Sequence, residues 1–281
     1  MIVSKHSKLE TSSEFNMVLD VDKKYLKEEQ YKSSTNLSAR IIIHQKFRTN
    51  PESFYGWIWK NYEIKNPVKI LEVGCGTGEF WLENFSKLPP GSEILMTDFS
   101  EGMIEKAKSK IDFDHIKFEV VDIDNLPYPD DSFDIVMAHH VIYHASDKNK
   151  AISELKRVVK SDGFISITTN SEKHMLNVYT IAHSIDENFS MVRNIDGFTE
   201  EDADTLLKKH FSNIEKTIYE DMLEVNDLEF MVDYIKSTTE PRKMNLRNDF
   251  YEKYSEIVKH DIEENGHFDI LKRSPLFICK K

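Results

Sequence analysis

A doubly wound α/β fold is what the sequence predicts, on three observations. Short apolar runs alternate with segments of helical period between Val68 and Thr168. Each run is of strand length and is bounded by Gly, Pro, Asp or Ser. Three of the chain's nine glycines crowd into Gly74, Gly76 and Gly78, where the first run must turn into a helix.

The runs are Val68–Val73, Glu93–Thr97, Ile116–Val121, Phe133–Ala138 and Phe164–Thr168. Between the second and third, Ser100 stands as an N-cap before Met103, Ile104, Ala107 and Ile111 at helical spacing. Asp147 caps a second helix carrying Ala151, Ile152, Leu155, Val158 and Val159, with Gly163 as its stop. Alternation at these lengths implies βαβ units and a parallel sheet covered on both faces. Upstream, Leu37–Phe47 reads as a helix, and Pro51–Tyr62 as another with its proline in the first turn, where a missing N–H costs nothing. Downstream the alternation lapses. Ser171–His210 reads as mostly helical, Phe211–Val225 holds a sixth strand, and Asn226–Lys259 is helical and rich in Phe, Met and Tyr. Phe268–Cys279 reads as a hairpin turning at Arg273-Ser274-Pro275, with Leu276–Cys279 as the last strand. The chain divides into an N-terminal helical cap segment at 1–64, a nucleotide-binding type of core at 65–170, and further core strands with helical lid insertions at 171–281.

The 281 residues suffice to bury a sizeable core. No run approaches the roughly 18 apolar residues of a membrane span. Met1–Glu10 has no apolar h-region of the secretory kind, so a cytoplasmic enzyme is expected. With Cys75 and Cys279 alone, neither a disulfide framework nor a metal-ligand spacing exists, and no metal is expected. The net charge of -12 disfavours general binding of polyphosphate chains.

Ile70-Leu71-Glu72-Val73-Gly74-Cys75-Gly76-Thr77-Gly78 carries the chemistry. Glycine permits positive φ and lets a ligand approach the backbone. In a doubly wound sheet this is also where ligands bind. The dinucleotide fingerprint G-x-G-x-x-G would place Glu79 at its third glycine. Here the spacing is G-x-G-x-G, preceded by an acid. Glu72 opposes a pyrophosphate by like charge, but it can orient the loop or attract the cationic end of an amino-acid ligand. Asp98 closes the second run, and a carboxylate there can accept from both hydroxyls of a cis-diol. Asp122-Ile123 follows the third run. His139, His140 and His144 follow the fourth, at the rim of the sheet.

This series resembles the class I S-adenosylmethionine-dependent methyltransferases, of the bacterial small-molecule type. The resemblance implies a Rossmann-like, mostly parallel seven-stranded sheet with an antiparallel last strand, plus a helical cap. It implies S-adenosylmethionine as cofactor, with S-adenosylhomocysteine as product. The cofactor set is then Glu72, Gly74, Cys75, Gly76, Gly78, Asp98 with the adjoining Phe99, Asp122, Ile123 and His139. In the family the acid at Asp98 holds the ribose hydroxyls, and that at Asp122 the adenine amino group. Arg40 and His44 match positions that close over the cofactor, Arg40 for the methionine carboxylate, and Tyr31 is a candidate for the lid. Leu126-Pro127 through Asp134, Leu155–Lys160, Thr168-Thr169-Asn170 and Phe277–Lys280 extend the resemblance along most of the chain.

The expected reaction is methyl transfer to an O or N atom of a small molecule, a natural product or a peptide. His139 or His144 would serve as general base where the acceptor must lose a proton. The acceptor pocket should form between the strand ends and the added helices, and be mainly apolar. No Asn/Asp-Pro-Pro-aromatic or Pro-Cys motif of nucleic-acid methyltransferases occurs after the fourth run, so nucleic acid and membrane partners are not expected. A nicotinamide oxidoreductase on a related fold and a non-catalytic S-adenosylmethionine-binding protein stay open as alternatives.

Overall fold

The computed structural model describes residues 43–191, 197–239 and 244–281. Its centre is a seven-stranded sheet. The strands are β1 (Lys69–Val73), β2 (Glu93–Asp98), β3 (Ile116–Val120), β4 (Phe133–His139), β5 (Val159–Thr168), β6 (Asn213–Val225) and β7 (Phe268–Lys280). Their order is β3-β2-β1-β4-β5-β7-β6. The first five run parallel, and β7 lies antiparallel to both β5 and β6. The chain passes from β1 outward to β3 and returns to β4 on the other side of β1. The ends of β1 and β4 therefore flank the crevice where such sheets bind ligands.

Both faces are covered because the central strands are apolar on both. Leu71, Val73, Val136 and Ala138 join one buried cluster, and Ile70, Ile135 and Met137 the opposite one. Helices α1 (Phe54–Lys60), α2 (Glu79–Asn84) and α3 (Glu101–Lys110) supply Ile58, Trp81, Ile104 and Ala107 to the second cluster. Helices α4 (Lys148–Val158) and α6 (Glu200–His210) supply Ala151, Leu155, Ala203 and Leu207 to the first. A third cluster gathers Val178 and Ala182 of α5 (Leu176–Ile185), Met231 and Ile235 of α7 (Leu228–Thr239), and Phe250, Tyr254 and Val258 of α8 (Phe250–Asn265). These helices close over the first halves of β7 and the last turns of β6, where Phe268, Ile270, Leu223 and Val225 are buried. No described helix is long and apolar enough to cross a membrane.

Several local expectations change. The C-terminal segment is one continuous 13-residue strand, not a hairpin, and it pairs with β6 from Phe268 to Lys280. Its proline interrupts nothing on the β5 side, because pairing with β5 ends at Leu276, one residue beyond Pro275. Helix α1 starts after Ser53, whose hydroxyl accepts from the Gly56 N–H, so Pro51 lies outside it. Ser100 precedes α3, but its side chain caps nothing. Asp147 caps α4 as expected, accepting from the Lys150 N–H at 3.0 Å. That helix ends at Val158, and Val159 and Gly163 belong to β5.

Gly163 has a reason of its own. The β4–β5 register shifts between Phe133 and Ile135, and a Cβ on Gly163 would stand 2.3 Å from the Asp134 carbonyl oxygen. Backbone cannot yield as a flexible side chain can. Gly163→Ala should therefore destabilise the protein by about 1–3 kcal/mol, read as a lowered urea midpoint. An unchanged midpoint would show that the shifted register does not depend on the missing side chain.

Candidate functional site

The loop leaving β1 has three residues in the left-handed region: Gly74 at φ 76°, Gly76 at 55° and Gly78 at 85°. Two are enclosed. A Cβ on Gly74 would meet the Val141 Cγ2 at 2.5 Å, and one on Gly78 the Ile111 Cδ1 at 2.4 Å. Gly76 differs, since nothing lies within 4 Å of the Cβ position and the backbone there is bare. The loop is tied to β2 from below. Gly74 and Cys75 donate N–H bonds to the Thr97 carbonyl at 2.8 and 2.9 Å.

Asp98 closes this construction. Its carboxylate is buried, one oxygen accepting from the Gly76 N–H at 3.0 Å and the other from the Ser100 N–H at 2.9 Å. Burial raises its pKa against the pull of those two donors. A carboxylate has about four lone-pair sites, so each oxygen keeps capacity for a further donor. Glu72 is also buried, with Oε2 accepting from the Trp81 indole N–H at 2.7 Å. Burial pushes its carboxyl up to about 7, opposed by the Trp81 bond and assisted by the charges of Asp98 and Glu79.

Three adjoining hollows meet here. A narrow slot is walled by Val73, Gly74, Phe99, Val121, Ile123 and Val141, with Asp122 and His144 at its polar side. It suits a flat, mostly apolar ring. Asp122 also accepts from the Asp124 N–H at 3.0 Å, which shapes the turn at the slot's edge. The slot shares Gly74, Phe99, Val141 and His144 with a central cleft of about 970 Å³ that carries Glu72, Cys75, Gly76, Asp98 and His139. That cleft in turn shares Tyr55, His140 and Tyr143 with a second cleft of about 1140 Å³. The structure thus brings together Glu72, Gly74, Cys75, Gly76, Asp98, Phe99, Asp122, Ile123, His139 and His144. Gly78 stands at the start of α2, packed on Ile111 rather than lining the cleft. Arg40 and Tyr31 lie outside the described residues. His44 lines the second cleft, its ring 5.9 Å from that of His174, and not the central one.

The histidines after β4 divide by environment. His139 turns Nε2 into the sheet interior, 2.9 Å from the Ser166 hydroxyl and 3.2 Å from the Tyr62 hydroxyl, and packs on Phe80. Burial, with a smaller contribution from His140, brings it down to about 3. His140 has a positive φ of 53°, a conformation that non-glycine residues adopt at a cost, and stands where the two clefts meet. Burial and then the Lys272 charge bring it to about 3. Burial and then Lys148 bring His144 to about 4. All three rings are neutral near pH 7 and free of positive charge. The group of described residues with metal-ligand geometry is Glu224, His267 and Asp269, at the far ends of β6 and β7 and apart from these histidines.

The second cleft adds to an expectation. Its lining is apolar by the larger share, as expected, but it also presents Arg48, His44, His140, His174 and Lys272 beside Phe54, Tyr55 and Tyr219. Sequence reasoning did not single out Arg48 or Lys272, and it ranked His140 behind His139 and His144. Lys272 had a signal. Phe268, Ile270, Lys272 and Ser274 alternate on the buried face of β7, so a lysine occupies an inward position. Reading that segment as a hairpin hides the period.

A family model described as a methyltransferase domain matches residues 64–264. The uncharacterized methyltransferase YcgJ of Bacillus subtilis is 34% identical over 111 residues, covering 38% of this chain and 43% of that protein. Demethylmenaquinone methyltransferase of Lactobacillus johnsonii is 29% identical over 147 residues, covering 49% of this chain and 60% of that protein. The chain thus spans less than two thirds of the length of these curated relatives. The crystal structure of YcgJ superimposes with a TM-score of 0.55 at 16% identity, over 81% of this chain and 97% of that one. Phosphoethanolamine N-methyltransferase 2 of Haemonchus contortus was solved with phosphomonomethylethanolamine and S-adenosylhomocysteine. It superimposes with a TM-score of 0.56 at 18% identity, over 91% of this chain and 59% of that one. At such identities the structural likeness is one of fold.

The raised carboxyl of Glu72 has a pH signature. The folded chain holds this proton up to about 7, the unfolded chain only to 4.5. The folded state therefore binds more protons between those values, and stability falls as pH rises through that window, by on the order of 3 kcal/mol at most. Urea midpoints at pH 5 and pH 7.5 should differ less in Glu72→Gln than in the unaltered protein. Equal differences would mean that Glu72 titrates normally.

Proposed function

The chain belongs to the methyltransferase-domain family, the class I S-adenosylmethionine-dependent methyltransferases, and we propose that it transfers a methyl group to an oxygen or nitrogen atom of a small molecule. The observation that carries this reading is the adjacency of the clefts. The glycine-loop cleft and the second cleft adjoin, with Tyr55, His140 and Tyr143 lining both.

The residues present fit the cofactor of this family. The bare backbone at Gly76 leaves room that a side chain would fill. Asp98 retains acceptor capacity for a ribose diol beside two backbone donors. The slot of Phe99, Val121, Ile123 and Val141 would hold the adenine, with Asp122 as acceptor for its amino group. Glu72 would attract the cationic amino group of the methionine portion. When bound, S-adenosylmethionine supplies an electrophilic methyl on a sulfonium centre, so the protein needs no covalent nucleophile. What the chain contributes is alignment of the acceptor and exclusion of water, and such positioning supplies several kcal/mol.

In this reading His139 is a positioning residue, fixed through Ser166 and Tyr62, and it holds the end of β4 at the junction. His140 and His144 stand at the junction as the uncharged groups that could take a proton from a hydroxyl or ammonium acceptor, but the burial that keeps them uncharged also makes them weak bases. The absence of a glycine at Glu79 weighs against nicotinamide. The open second cleft weighs against a protein that only stores the cofactor.

Calorimetric titration with S-adenosylmethionine and separately with NAD tests the reading. S-adenosylmethionine should bind and NAD should not, and Asp98→Ala should weaken binding by about 10- to 100-fold, the value of hydrogen bonds to a charged group. Binding of NAD, or of neither, would sink it. A bound ammonium facing Glu72 should also make S-adenosylmethionine affinity rise with pH up to about 7 and then level off, since the carboxyl must lose its proton first. Glu72→Gln should bind more weakly and flatten that rise.

A further inference from the structure

Lys272 is 8% exposed, yet it makes no hydrogen bond or ion pair with any described residue. Its ammonium lies 5.1 Å from the ring centres of both Phe54 and Tyr219, inside the second cleft. Arg48 lines the same cleft and keeps Nη1 buried without a partner. A buried cation without a counter-charge is costly, and aromatic faces compensate it only in part.

The nearby acids balance these charges only in part. Asp221 stands directly across the ladder from Lys272. Its Oδ1 is instead held by the Thr49 N–H at 3.0 Å, the Thr49 hydroxyl at 3.3 Å and the Asn50 N–H at 2.9 Å. Its Oδ2 is buried without a hydrogen-bond partner, and its charge supports the Lys272 ammonium. Glu83 also borders the cleft, but it is exposed and bonded to the Ser53 hydroxyl. Two cations thus meet one buried carboxylate, and one positive charge is left in excess. Burial, reinforced by the Arg48 charge and opposed by Asp221, brings the Lys272 ammonium down to about 8, so it is still mostly charged at neutral pH.

We infer that the second cleft binds the methyl acceptor through an anionic group, a carboxylate or a phosphate, held between Lys272 and Arg48, with the reacting atom presented toward His140 and Tyr143. This rests on the transferase reading above and adds the acceptor's charge to it. One oxyanion would neutralise the excess cation, and the guanidinium offers it a pair of donors. It would also anchor the acceptor at the end of the cleft remote from the glycine loop, leaving the neutral histidines at the junction. Lys272 would then be a specificity residue and not a piece of packing.

The test uses the full chain loaded with S-adenosylhomocysteine and titrated calorimetrically with benzoate, phenyl phosphate and the neutral benzamide. One anion should bind at least about tenfold more tightly than benzamide, and the choice between them tells carboxylate from phosphate. Lys272→Met and Arg48→Met should each weaken the preferred anion by about tenfold or more, while Lys272→Arg retains most of it. S-adenosylhomocysteine affinity should stay within about twofold in all three, because neither residue lines the cofactor cleft, and that readout also shows that the variants are folded. Equal binding of benzamide and the anions would overturn the inference. So would anion affinity unchanged in both methionine variants, or no anion binding to protein that holds S-adenosylhomocysteine. In each of these cases the transferase reading stands. Failure of the unaltered protein to bind S-adenosylhomocysteine would overturn both.

Discussion

Everything at the site depends on a chain reversal in which successive glycines leave β1 with left-handed backbone. The reversal is not free to relax. Gly74 is pressed against Val141 from the exit of β4, Gly78 against Ile111 at the end of α3, and Gly76 is hydrogen-bonded to Asp98 at the end of β2. Three elements therefore fix one five-residue turn. Because β1 lies between β2 and β4, the same packing sets the slot and the cleft side by side. A carboxylate that accepts from the loop backbone is also the one left facing the cleft, so loop geometry and ligand recognition use the same atoms.

Charge is distributed along the adjoining hollows in a way the net value of -12 conceals. Glu72, Asp98 and Asp122 border the loop side, Arg48 and Lys272 the opposite side, and uncharged histidines stand between them. The loop side suits the cationic and hydroxyl-rich parts of a nucleoside linked to an amino acid, and the opposite side suits an anion. In a buried region such separation is strong, because little water screens it. Overall acidity disfavours polyanions at the surface, while a small anion inside the cleft meets the reverse field.

Much of this was readable from residues whose environment is local. Glu72, Gly74, Gly76, Asp98 and Asp122 occupy strand ends, and period and turn chemistry place strand ends well. Helix α4 was readable for the same reason, with Asp147 as its cap and Ala151, Ile152, Leu155 and Val158 on one face. The part that escaped is set by pairing between distant segments. Pro275 looks like a turn residue until it is seen paired with Ile218 of β6. Gly163 looks like a helix stop until the Asp134 carbonyl is seen against it. His139 follows a strand end and so seemed the natural base. Only the positions of Ser166 and Tyr62 show its ring turned inward, with His140 left at the junction. The cations of the second cleft escaped as well, because aromatic composition does not tell which charged residues share its walls.

The strand order has a consequence for assembly. β7 lies between β5 and β6, and β6 has no other neighbour in the sheet. During synthesis β6 has no strand of the sheet beside it until residues 268–280 leave the ribosome and insert beside β5, and only its last residues find an earlier partner, through the bridge from Arg48 to Leu223. The same insertion delivers Lys272 and Ser274 into the second cleft. The glycine-loop half of the sheet needs neither strand, so a nascent chain completes the glycine-loop cleft first and the second cleft last. The long edge of β6 that β7 will cover is exposed in the interval, and that is the stage at which this fold is most open to mispairing with a second nascent chain.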